Sequence, residues 1–247
     1  DELDFDLDSL QYHTAVPIVP EPSESSESYL DRVARACRPL FEASGLTIGL
    51  GGEHSLTPAL VRAAVGESDN LSHLTVVQID AHADLRASYE DKLHSHACAM
   101  RRLTDRGASL IAIGVRAMSR EEIEYARPDP HIQIYRAQSL VGFDHRLEFS
   151  NEEGIVLDQL GRLTGDVYLT IDIDGLDPSL CPGTGTPEPG GLSWWQTLRF
   201  LRALLLDNRK RRLIGCDLVE AVPQPGTQIN EFTAARLLAK VIAYSNR

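Results

Sequence analysis

Hydrophobic positions fall into short apolar runs separated by longer mixed stretches. Leu46 to Leu50, Leu74 to Ile79, Leu110 to Val115, Val167 to Ile173 and Leu213 to Val219 each read as a strand, and Ile132 to Tyr135 as a shorter one. Their continuous apolar character suits strands covered on both faces. Between them the pattern shifts to three-and-four spacing. Leu30, Val33, Ala34, Cys37, Leu40 and Phe41 lie on one stripe, which predicts a helix over about 28–43, stopped by Gly45. Further helices are predicted over about Ser55–Val65, Trp194–Leu206 and Glu231–Tyr244. Strands alternating with helices predict a parallel sheet with helices on both faces, an α/β/α sandwich. Pro17 to Ser28 reads as a loop, and no domain linker or repeat follows, so one domain over 1–247 is expected.

In such a sheet, ligands bind beyond the carboxyl ends of the strands. Four polar clusters stand there. Gly51-Gly52-Glu53-His54-Ser55 follows the first strand, with glycines that permit a tight turn; a histidine at a turn is by itself a weak signal. Asp80-Ala81-His82-Ala83-Asp84 follows the second. In extended chain, residues at i, i+2 and i+4 share a face, so Asp80, His82 and Asp84 can converge, with alanines leaving room. A solvated acidic turn is the blander alternative, but an apolar strand running straight into three polar groups leaves them needing a partner. Asp172-Ile173-Asp174 ends a third strand. Two carboxylates so close repel unless a cation neutralises them. Asp217-Leu218-Val219-Glu220 ends a fourth, and Glu220 gains weight only from its company. After Asp177-Pro178, the run Gly183-Thr184-Gly185-Thr186-Pro187 predicts a long ordered loop of the kind that usually carries function.

The candidate metal ligands are therefore His54, Asp80, His82, Asp84, Asp172 and Asp174. Mixed imidazole and carboxylate donors suit manganese, iron, cobalt, nickel or zinc rather than a calcium or magnesium cage. Six donors exceed one tetrahedral zinc. They suit two metals sharing bridging carboxylates, an arrangement that drives hydrolysis.

These motifs, together with Gly175-Leu176-Asp177-Pro178 and Gly190-Gly191, resemble the ureohydrolase family of arginases and agmatinases over about residues 30–247. The resemblance implies an arginase-like three-layer fold with a mostly parallel, about eight-stranded sheet. It implies a centre of two manganese ions, with a bridging hydroxide attacking a guanidinium carbon to give urea and an amine. It places His54, Asp80, Asp84 and Asp172 around one ion and Asp80, His82, Asp172 and Asp174 around the other. It makes Asp84 the residue that orients the hydroxide, Glu220 the partner of the guanidinium, and His96 the proton shuttle, with His94 as rival. The segment Leu85-Arg86-Ala87-Ser88-Tyr89-Glu90-Asp91-Lys92-Leu93 resembles agmatinases rather than arginases, so agmatine is the expected substrate and putrescine and urea the products, in polyamine synthesis. Guanidinobutyrate, guanidinopropionate, another guanidino or formimino compound, or an inactive homologue that keeps the metal site are the alternatives. A single-zinc deacetylase on a related fold is disfavoured by His54 and by the second carboxylate of the Asp172-x-Asp174 pair. Members of the family form trimers and hexamers, so a homo-oligomer is expected. Members also begin with a further strand carrying a Gly-x-Pro-x-Asp turn, and no such strand is legible before residue 30.

Composition narrows the setting. Twenty-four basic against 36 acidic residues give a net charge of −12, which argues against nucleic acid or an anionic membrane as partner and suits a small cationic substrate. No apolar run is long enough to span a membrane and no signal peptide is visible, so the cytoplasm is expected. Four well-separated cysteines, Cys37, Cys98, Cys181 and Cys216, predict free thiols rather than a disulfide scaffold.

Overall fold

A computed structural model describes residues 6–43, 45–142 and 151–246. In chain order the elements are α1 (Ser26–Ala43), β1 (Ile48–Leu50), α2 (Leu56–Val65), β2 (Leu74–Ile79), α3 (Ala99–Thr104), β3 (Ser109–Val115), α4 (Arg120–Ala126), β4 (Ile132–Arg136), α5 (Ala137–Leu140), α6 (Glu152–Arg162), β5 (Gly165–Asp172), α7 (Trp194–Arg202), β6 (Arg211–Val219) and α8 (Ile229–Ser245). All pairings are parallel, in the order β1-β6-β5-β2-β3-β4. Among the described residues the sheet has six strands against the roughly eight expected. Its edges are β1 and β4, and among the described residues before α1 the regular structure is a short 3-10 turn at Leu7–Ser9.

Alternation along the strands sorts side chains onto two cores. Val77, Ile79, Ile111, Ile113, Val167, Leu169 and Ile171 face α6, α7 and α8, where Val156, Leu160, Phe200, Leu201, Leu237 and Val241 cover them. Leu74, Val76, Leu110, Ala112 and Tyr168 face the opposite layer, with Leu30, Val33, Leu60, Val61, Met100 and Leu103 from α1, α2 and α3. At about 1.5–3 kcal/mol for each large buried side chain, these two layers dominate the stability. The predicted helix over Trp194–Leu206 is α-helical only to Arg202 and continues as a π-helical turn, Ala203–Asp207. All four cysteines are unpaired.

The strand order brings the carboxyl ends of β1, β6, β5 and β2 side by side. These ends carry the four polar clusters. On the face toward α2, polar residues interrupt the apolar strands near those ends: Gln78 on β2, Thr170 on β5 and Asp217 on β6, all with no measurable exposure.

Candidate active site

Each cluster leaves its strand through a local device that its sequence supplies. After β1, Gly51 passes so close to β6 that a Cβ there would stand 2.6 Å from Val219 Cγ1. The chain then turns into α2 and drops the His54 ring into the interior, 1% exposed. After β2 the chain does not continue extended, contrary to the expectation from alternation. The His82 amide donates to Asp80 Oδ1 (2.6 Å), and Asp84 adopts a left-handed φ of 54°. Convergence of Asp80, His82 and Asp84 is thus made by a turn. The same holds after β5, where the Asp174 amide donates to Asp172 Oδ1 (2.9 Å) and Ile173–Gly175 form a 3-10 turn. Gly175 is required there, because a Cβ would sit 2.7 Å from the Asp80 backbone nitrogen.

The result is one cluster with two overlapping donor groups. Donor atoms of His54, Asp80 and Asp172 all lie within 4.8 Å of one another, as do those of Asp80, His82 and Asp174. His54 Nδ1 stands 2.9 Å from Asp84 Oδ2, 3.1 Å from Asp80 Oδ2 and 3.4 Å from Asp172 Oδ2. His82 Nδ1 stands 3.1 Å from Asp174 Oδ2 and 3.5 Å from Asp80 Oδ1. All six sequence-predicted ligands are therefore brought together. Asp80 belongs to both groups, whereas Asp172 joins only the His54 group.

Buried carboxylates this close together favour positive charge beside them. Burial pushes Asp84 up to about 7, aided by the Asp80 charge. Burial and the same neighbour drive Asp172 well above the usual carboxylate range. Burial would depress His82, but Asp174 and Asp80 hold it at about 11. Two divalent cations would meet the same demand: four carboxylates carry −4 and two such ions +4.

A buried polar relay sets the His54 ring. Asp217 accepts from Thr170 Oγ1 (2.6 Å), Thr57 Oγ1 (2.9 Å) and Tyr168 Oη (2.9 Å). With its proton given to Asp217, Thr170 Oγ1 is left to accept from His54 Nε2 at 2.9 Å. The proton therefore sits on Nε2. Nδ1, buried, faces Asp80, Asp84 and Asp172; burial opposes charge on the ring, but these three carboxylates raise its pKa well above the ordinary value. A cation at that point would take the place of the Nδ1 proton, with the Nε2–H held by Thr170, the outer-shell arrangement that suits a histidine ligand. The donor set thus fits two divalent ions. Thr57, Gln78, Tyr168 and Thr170 were not singled out from the sequence. Gln78, which donates to Asp80 Oδ2 at 2.7 Å, and Thr170 are polar interruptions of apolar strands, a signal that could have found them.

Glu220 and His96 stand at the rim. Glu220 has a left-handed φ of 62°, and its Oε1 accepts from the His54 amide at 2.8 Å. Left-handed backbone is costly for a non-glycine residue and is stored where function requires it; five such residues occur among those described, and Asp84 and Glu220 are two of them. Burial raises the Glu220 carboxyl, with the His54 amide opposing. His96 is hydrogen-bonded to Glu53. His94 instead lines a surface cavity with Glu24, Ser25, Ser26, Lys92 and Leu93. Arg86 lies outside the pocket, stacked on Tyr89 and 3.9 Å from Glu122. The loop after Asp174 is fixed by Arg116, whose guanidinium donates to the carbonyls of Asp174, Leu176 and Glu188, and by Asp177, which accepts from the amides of Gly190 and Gly191.

The sequence profile of the Arginase family matches residues 1–244. The chain belongs to the arginase family. That match begins ahead of the residue-30 boundary drawn from motifs alone. Among relatives of this arginase-family chain, the N(1)-aminopropylagmatine ureohydrolase of Synechocystis is 34% identical over 95% of this chain and 73% of its own length. The agmatinase of Pyrococcus horikoshii is 32% identical over 99% of this chain and 80% of its own. The crystal structure of agmatine ureohydrolase of Thermoplasma volcanium superposes with a TM-score of 0.74 at 32% identity, covering 92% of this chain and 71% of that one. The family assignment makes the protein a hydrolase, an arginase-family ureohydrolase with a site able to hold two metal ions.

Proposed function

We propose that this arginase-family protein hydrolyses agmatine to putrescine and urea with two manganese ions, acting as a single catalytic domain. The observation that carries the reading is the pair of donor groups sharing Asp80, with Glu220 fixed beside them by the His54 amide. In this reading His54, Asp80, Asp84 and Asp172 hold one ion, and Asp80, His82, Asp172 and Asp174 the other. Such a pair, when bound, supplies an activated water at neutral pH. Every other task falls to side chains. Glu220 accepts hydrogen bonds from the substrate guanidinium and stabilises its charge as the central carbon becomes tetrahedral. Asp84 accepts a hydrogen bond from the attacking water and orients it. His96 donates a proton to the leaving nitrogen, which takes the electron pair of the breaking C–N bond.

A second reading keeps the chemistry and changes the substrate. Several relatives of this chain are named for N(1)-aminopropylagmatine, at 32–36% identity. Both substrates present a guanidinium on a chain that ends in an amine, and the chain's net charge of −12 suits either cation. The deciding experiment is urea release from agmatine, aminopropylagmatine, arginine, guanidinobutyrate and guanidinopropionate after manganese loading. Preference for agmatine supports the first reading, preference for aminopropylagmatine the second, and urea only from arginine refutes both. A cytoplasmic trimer or hexamer completes the proposal; light scattering that finds a monomer removes that part. No helix among the described residues is long and apolar enough to cross a membrane.

A further inference from the structure

Glu53 has no role in the chemistry above, although it lies inside the Gly51–Ser55 turn. Its Oε1 accepts two hydrogen bonds from one residue, His96: one from the backbone amide and one from Nδ1 at 3.1 Å. Its Oε2 accepts from the Ser55 hydroxyl. Ser55 occupies the N-cap of α2, where a serine hydroxyl ordinarily satisfies a helix amide, and it makes no such bond. The serine is committed to Glu53 instead. The edge-to-face ring of Tyr89, on the tight turn Tyr89–Lys92, closes the other side of the His96 ring at 5.4 Å between centroids.

We infer that Glu53, held by Ser55, is the positioning residue for His96, fixing its ring and keeping the Nδ1 proton in place so that Nε2 carries the proton that is transferred. This rests on the proposed role of His96 as acid for the leaving amine. A plain surface ion pair is the alternative, and such pairs contribute little. Three features speak against it. The carboxylate is bound at both oxygens, it grips backbone and ring of the same residue together, and its serine partner forgoes a helix cap. A single five-residue turn then orients three groups: the Glu53 carboxylate holds His96, the His54 amide holds Glu220, and the His54 ring enters the ligand cluster.

The charge balance follows from the same contacts. In the transfer, the Nε2 proton passes to the leaving nitrogen as that atom takes the C–N electron pair, and His96 is left neutral with Nδ1–H still on Glu53. The carboxylates that face the ring are Glu53 by hydrogen bond, then Asp84 and Glu220 through space, and all three favour the imidazolium, against partial burial.

The test uses the metal-loaded protein and two readouts. One is the pH dependence of carbethoxylation at His96, followed by mass spectrometry of its peptide, which needs no turnover. The other is steady-state urea release with bound metal counted. Glu53→Gln is expected to move the His96 midpoint to lower pH and to lower kcat by about 10–100-fold, part of the roughly 10²–10⁴-fold a general acid supplies. KM and metal content stay within about twofold, and in a His96→Ala background Glu53→Gln changes kcat by less than about twofold, since residues acting as one unit are not additive. Glu53→Asp, which retains the charge, recovers part of the loss, and Ser55→Ala reproduces a fraction of it. An unchanged midpoint and kcat in Glu53→Gln, or an equal loss with and without His96, overturns the inference while leaving the ureohydrolase reading intact. Full kcat in His96→Ala removes the shuttle and this inference with it. Should the unaltered protein release no urea from any guanidino compound, the function reading fails, and the His96 midpoint alone decides whether Glu53 governs that ring.

Discussion

Replacing Glu220 by glutamine removes one negative charge from the rim and little else. Glutamine keeps an oxygen that can accept the His54 amide now bound to Oε1 at 2.8 Å, so the turn and the His54 ring stay in place. What is lost is the charged partner of the guanidinium. A hydrogen bond to a charged group contributes about 1.5–3 kcal/mol, and a buried charge stripped of its partner costs about 3–5 kcal/mol. Glu220 is only partly buried and glutamine still offers one acceptor, so about 3 kcal/mol is the expected loss, or roughly two powers of ten in kcat/KM. Steady-state urea release measures it, with metal counted in the same sample. Glu220→Gly separates chemistry from folding. It relieves a left-handed residue at φ 62°, about 1 kcal/mol, while forfeiting a hydrogen bond of similar value. Its Tm should therefore stay within about 3 °C of the unaltered protein, with activity lost. Activity within threefold in Glu220→Gln, or loss of metal from it, would refute the role assigned to this carboxylate.

Three more outcomes are expected. His82→Ala removes a donor found in one group only and should weaken one ion, whereas Asp80→Ala removes the shared donor and should empty both positions, by at least about 100-fold in affinity; equal stoichiometry in the two variants by elemental analysis contradicts the shared role. Asp217→Asn removes the charge that orders three hydroxyls behind His54 and should lower metal affinity by about 10–100-fold without touching a ligand, which calorimetric titration reads directly. Glu24 is held at about 2 by its hydrogen bonds to Arg32, against an ordinary value of 4.5. Because the folded value is the lower one, its contribution is fully present above pH 4.5 and disappears as pH falls through about 2; an acid-unfolding profile of Glu24→Gln that matches the unaltered protein in that window would deny the pair any effect.

Much of this molecule is legible in its sequence. All six strands lie where the apolar runs put them, because strands buried on both faces carry little else. The rule that sites gather at their carboxyl ends then singled out six candidate ligands, which the fold brings together. What escaped has physical causes. Asp80–Asp84 and Asp172–Asp174 converge through turns in which aspartate side chains accept from backbone amides, and Asp84 and Glu220 take left-handed backbone with no glycine to mark it. The relay joins Thr57 to Thr170 and Asp217, each more than 100 positions away, and only strand order reveals it. Helix α3 spans six residues and α4 seven, too few turns for a periodic signal. α1 runs through Pro39 and starts two residues earlier than its apolar stripe suggested.

The most direct test of the central claim is urea release from agmatine and aminopropylagmatine as manganese is added stepwise to metal-stripped protein. Activity that rises with added manganese and levels off at two ions per chain is the predicted result. Urea production that ignores metal, saturation at one ion, or no urea from either substrate at any metal level would contradict the two-ion site built around Asp80.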